Sequence, residues 1–192
     1  FIKRSFSAPQ LSQLFLFILL FLNKVTKLVI YMEKRKNILE KLGSLIPGYN
    51  GYAERDGKRT ADKVLRTGIA DKLEATEKAL YTRMNNAILQ KDKEGMHALE
   101  SCRKEVNTLC SKIKHAPYGE TSIFADAKIK EEELDRIHEL DLGLLEAARS
   151  LEEGAEDAGM EEMDELIKRV ASGLEEREKY LNQFCRFSIS FD

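Results

Sequence analysis

The chain has 192 residues, of which 43% are hydrophobic and 33% charged, with 31 Lys and Arg, 33 Asp and Glu, three Pro and no Trp. This composition suits one helical domain long enough to bury a core, and it excludes collagen-like, disulfide-framework, multi-span membrane and wholly disordered classes. The net charge of −2 divides unevenly: residues 1–31 carry four basic and no acidic side chains, residues 32–116 carry 18 and 12, and residues 117–192 carry 9 and 21. A basic first half is therefore expected to fold against an acidic second half, each screening the other.

Residues 1–31 stand apart, holding six of the 15 aromatic residues. Their unbroken apolar run, Leu14 to Leu22, is nine residues long, against the ~20 needed to span a bilayer. Extending it to Tyr31 places Asn23, Lys24 and Lys27 inside the span, where a central lysine costs roughly 2.5–3.5 kcal/mol. Lys3 and Arg4 resemble the basic start of a secretory signal, but no small-x-small cleavage site follows. The first methionine is Met32, where MEKRKNILEKL begins a charged amphipathic helix. Residues 1–31 are thus expected to be a translated upstream or artefactual extension, with a signal anchor and a genuine packed helix as alternatives. A membrane partner is expected only if they are genuine.

From Met32, glycine and proline divide the chain into helices. A short helix from Glu33 to Leu45 ends at Pro47-Gly48-Tyr49-Asn50-Gly51, where proline removes a donor and glycine allows positive φ. From Tyr52 to about Lys91, Ala61, Leu65, Ile69, Leu73, Thr76, Leu80, Met84 and Ala87 recur in steps of three or four, the stripe of one long helix that Gly57 and Gly68 weaken locally. After Asp92-Lys93-Glu94-Gly95, the spacing of Cys102, Val106, Leu109, Ile113 and Ala116 predicts an antiparallel return helix. Because that return is shorter, Pro117 should lie beside the middle of the long helix. Pro117-Tyr118-Gly119 opens a loop before a helix carrying Leu134, Ile137, Leu140, Leu144, Ala148 and Leu151. Beyond Gly154 to Gly159, the last helix shows Met160, Met163, Ile167, Val170, Leu174, Leu181 and Phe184 on one seam, with Arg177 as the position out of pattern. The expected fold is all-α: an elongated antiparallel bundle of coiled-coil hairpins, one short plus about four longer helices, in a single domain over 32–185 with a frayed tail at 186–192.

The constellations that carry chemistry are weak. Gly51 to Arg59 departs from a phosphate loop in spacing and lacks the terminal hydroxyl. Cys102, Cys110 and Cys185 form no C-x-x-C and are expected to be reduced. Glu94-Gly95-Met96-His97 and Asp135-Arg136-Ile137-His138 resemble the E-x-x-H of di-iron bundles, but the expectation is that His97 and His138 are boundary residues and Asp135 is exposed. No catalytic residue, metal or cofactor is assigned. The stretch IPGYNGYAERDGKRTADKVLR is richer in tyrosine and arginine than a helix entrance requires. Arg59, Asp62 and Arg66 fall at i, i+3 and i+7, so Asp62 can meet either arginine, with Arg55 a turn earlier. Such a set is either a surface ion-pair ladder or, with Tyr49, Tyr52 and Tyr118, a partner-binding surface.

Two loops and the following helix also carry a resemblance. The order P-G-Y-x-G-Y, A-D-K-x-L-R, A-P-Y-G and E-L-D-x-x-x-E-L-D-x-x-L-L-E, over Leu39 to Leu151, resembles a family of small, uncharacterised, all-helical bacterial proteins. Where that family favours Lys-Glu and paired Arg after the second Tyr, this chain has Arg55-Asp56 and Gly57-Lys58-Arg59. The resemblance implies a helical fold and a bacterial cytoplasmic setting, with no settled activity. The expected function is a non-enzymatic scaffold or adaptor binding a protein partner or itself, with a membrane-tethered adaptor and a ferritin-like metal-binding bundle as alternatives. Nucleic acid is not an expected partner, because the basic residues are dispersed.

Overall fold

The computed structural model describes residues 8–49, 51, 55–115 and 130–185. Five helices account for nearly all of them: α1 (Ala8–Leu45), α2 (Arg55–Leu89), α3 (Lys93–His115), α4 (Glu131–Gly154) and α5 (Met160–Cys185). Among the described residues there is no strand. The expected frayed tail at 186–192 lies outside them.

Four helices form a ring. Helix α2 packs on α3 and α4, α5 closes it by packing on the same two, and α1 lies outside against α4. The centre is filled at the predicted spacing by Leu65, Ile69, Leu73 and Leu80 of α2, Val106 and Ile113 of α3, and Met163, Ile167 and Val170 of α5, all buried. Burying each such side chain contributes about 1.5–3 kcal/mol. The hairpins α2–α3 and α4–α5 are antiparallel. The α2–α3 tip is pinned locally, the Gly95 amide donating to Asp92 Oδ1 at 2.9 Å, whereas the α4–α5 turn is held from α2, where Arg83 donates to the carbonyls of Ala155 and Ala158 at 3.1 and 2.8 Å. Lys114, at the end of α3, pairs with Glu74 of α2, so the return helix stops beside the middle of the long one, as its length predicts.

The first helix departs from expectation. It is not a short element starting at Glu33 but runs 38 residues from Ala8, because no glycine or proline interrupts residues 10–42. Among its described side chains, packing begins at Tyr31. Side chains from Ile18 to Ile30 are exposed, whereas Tyr31 is half-buried and donates to Asp135 of α4. Below it Lys34 reaches Glu139 at 2.7 Å, Arg35 reaches Asp135 at 3.0 Å, and Lys41 reaches Glu146 at 3.9 Å. These partners rise together along both helices, so α1 and α4 run in the same direction. Lys72 with Glu152, 3.0 Å apart, and the Arg83 contacts give α2 that direction too. The helices α2 to α5 alternate up and down as expected, and the described part of the return between α1 and α2 runs back along the bundle: Tyr49 meets Asp141 and Gly51 lies against His138, one turn earlier on α4. Gly68 admits the start of this return, since a Cβ there would stand 3.0–3.2 Å from the Ile46 side chain.

Basic residues of the first half thus meet acidic residues of α4, which carries Glu131, Glu132 and Glu133 in its first turn. That placement also suits the positive end of the helix dipole.

Candidate functional site: a buried charge network

The seams of α2, α4 and α5 converge on polar residues. Arg177 occupies the α5 seam position between Leu174 and Leu181, four residues before the latter, where an aliphatic side chain would continue the repeat. Its Nε donates to Asp141 Oδ1 at 2.6 Å and its Nη2 to Asp62 Oδ1 at 2.7 Å. The other oxygen of Asp62 takes Arg66 at 2.7 Å, and Asp141 Oδ2 accepts from the Tyr49 hydroxyl at 3.4 Å. The chain Arg66–Asp62–Arg177–Asp141–Tyr49 is buried throughout, with Asp141 at 0% exposure. Two carboxylates face two guanidinium groups, so the four charges cancel. Burial of each ion is offset by a partner and by charge-assisted hydrogen bonds.

His138 lies beside this network at 3% exposure. Burial, more than any charge, lowers its pKa; Arg35 lowers it further and Asp141 acts in the opposite direction. It is therefore neutral at pH 7. Asp135, one turn earlier on α4, is buried rather than exposed, correcting the sequence expectation. Burial and then Glu139 push its carboxyl pKa up, while Tyr31 and Arg35 hold the group from α1.

Of the residues proposed for a partner-binding surface, Tyr49, Asp62 and Arg66 are brought together, but inside the protein. The expectation that they face outward is corrected: Arg177 of α5 reaches Asp62 and Ile46 lies against Gly68, neighbours that the helical spacing of α2 alone does not supply. Asp62 does meet Arg66 one turn away, as the spacing allows. Arg55 and Arg59 fall in the first turns of α2, with their side chains outside the described residues. Tyr52 and Tyr118 lie outside them altogether. Sequence reasoning missed Asp141 and gave Arg177 no role. The available signal was the break in an otherwise apolar seam.

The two E-x-x-H-like motifs do not converge. His97 is exposed in the first turns of α3 while His138 is buried in α4, and among the described residues no group of three His, Cys, Asp or Glu is placed to hold a metal ion. Burial raises the thiol pKa of Cys102 and Cys110, leaving them as protonated small hydrophobes rather than nucleophiles at pH 7. Among the described residues, no helix is long and apolar enough to cross a membrane. Compared with protein-family models, with curated proteins and with solved structures, the chain matches none.

Proposed function

We propose that this protein is a non-enzymatic helical scaffold or adaptor that works by associating with another macromolecule or with itself. The observation that supports this reading is a contrast within one chain. The polar side chains best suited to chemistry satisfy one another in a neutral internal network, whereas α1 carries large apolar side chains past the bundle with nothing of the described chain against them. Exposed apolar surface of this extent marks interaction sites. The ion-paired body then acts as a rigid mount, and residues 18–30 of α1 as the associating arm.

The test is a photo-crosslinking amino acid at Val29, which is 58% exposed, introduced into the full chain in its native cells. Association predicts a discrete adduct at this position and none with the crosslinker at Lys168, exposed on α5. A folded chain that forms no adduct at Val29 would overturn the reading.

A further inference from the structure

Residues 18–30 expose apolar side chains round most of the helix, most densely on one face. Ile18, Phe21, Leu22, Val25, Leu28 and Val29 follow one another in steps of three, one, three, three and one, which places them on a single face, and all six are exposed. Asn23, Lys24, Thr26 and Lys27 fall on the other side, interleaved with Leu19, Leu20 and Ile30, and are exposed too. At 1.5 Å per residue the segment offers about 20 Å of helix to lie along a surface, and among the described residues no helix is long and apolar enough to cross a membrane.

We propose that this segment of α1 docks on an anionic phospholipid bilayer, lying in the interface with its apolar face toward the acyl chains. The inference rests on the association reading above and names the partner of the arm. Two observations select lipid over a second copy of the helix. First, the segment is purely cationic. Residues 1–32 contain no acidic side chain, so a paired copy would bring lysines near lysines with no carboxylate to accept them, whereas acidic headgroups complement Lys24 and Lys27. Second, the apolar surface is wider than a two-helix seam. Leu19, Leu20 and Ile30 lie outside the stripe, on the side of the lysines, at 53%, 55% and 61% exposure; a single helix partner on the stripe would leave them in water, while the headgroup and acyl boundary of a bilayer surrounds more of the helix and lets the lysine stems reach up to the headgroups. The bundle is compatible with this placement, because α1 begins to pack on α4 only at Tyr31.

The experiment is co-sedimentation of the full chain with large vesicles of phosphatidylcholine, alone or with about one-third phosphatidylglycerol. Two lysines at about 1 kcal/mol each predict roughly thirtyfold stronger partitioning onto the anionic vesicles, falling as salt is raised. Lys24→Gln/Lys27→Gln should lose that preference, and Phe21→Asp/Leu28→Asp should lose binding to both vesicle types. Because all four positions are exposed, circular dichroism should show each variant as helical as the parent. No binding to anionic vesicles, or the same thirtyfold preference in the lysine variant, would overturn the proposal. A Val29 adduct to protein without vesicle binding would sink the membrane inference alone, and no adduct together with no vesicle binding would sink both readings.

Discussion

Arg177 of α5 donates through Nη2 to Oδ1 of Asp62 on α2 at 2.7 Å, across 115 residues of chain. The same guanidinium donates through Nε to Asp141 of α4 at 2.6 Å, so one side chain joins three helices. Arg177→Met leaves both carboxylates buried with one cation, Arg66, beside Asp62 alone. Removing a buried partner in this way costs about 3–5 kcal/mol. Urea denaturation should show that loss as a lower midpoint with unchanged slope. Arg177→Lys keeps the charge but not the fork, and should fall between the two. A loss below about 1 kcal/mol for the methionine variant would show that the network does not hold the bundle.

His138 supplies a pH dependence whose sign follows from burial. Its folded pKa lies below the ordinary 6.5, so in the range just beneath 6.5 the unfolded chain binds a proton that the folded chain refuses. Stability is therefore fully present above about pH 6.5 and declines as the pH falls toward the lower folded value. Thermal melts from pH 8 to pH 5 should show this decline in the parent and a flatter profile in His138→Gln. Glu139, whose pKa is lowered chiefly by its hydrogen bond from Lys34, contributes stability that is present above its ordinary 4.5 and lost only as the pH falls below it. Identical profiles for parent and variant would refute the assignment to His138.

Gly51 and Gly48 separate backbone strain from close approach. Both have positive φ, 73° and 86°, a conformation that costs an L side chain about 1–2 kcal/mol. A Cβ at Gly51 would also stand 3.1 Å from Leu39 Cδ2, whereas at Gly48 nothing lies within 4 Å. Gly48→Ala should therefore cost about 1–2 kcal/mol, and Gly51→Ala measurably more, by denaturant titration of each. Equal costs would mean that the return segment does not sit tightly between α1 and α4.

Asp92 caps α3 through the amide of Gly95. Asp92→Ala should remove about 0.5–2 kcal/mol and speed amide exchange at the tip of the α2–α3 hairpin. Unchanged exchange from Lys93 to Met96 would show that the tip is held by other contacts.

The helices themselves were legible because their signals are local. Pro47 to Gly51 and Gly154 to Gly159 mark real breaks, the third falls at residues 90–92, just before the expected Asp92 to Gly95, and most of the apolar repeats of α2 and α5 coincide with buried positions. The start of α1 was misread because composition changes at Met32 while helix-forming capacity does not. Asp62 and Arg66 were correctly paired across one turn, yet assigned to the surface. An i, i+4 pair looks the same in sequence whether water or another helix faces it.

The sequence by itself determined an all-helical chain, the registers of its apolar seams and the separation of a cationic, acid-free opening from an acidic second half, since periodicity, punctuation and charge are properties of neighbouring residues. Only the tertiary structure decided that α1 and α2 run in the same direction, that Arg177 belongs between Asp62 and Asp141, and that packing of α1 starts at Tyr31. Those outcomes depend on pairings between distant residues, where the free energy of burying a charge is set by which partner the fold brings to meet it.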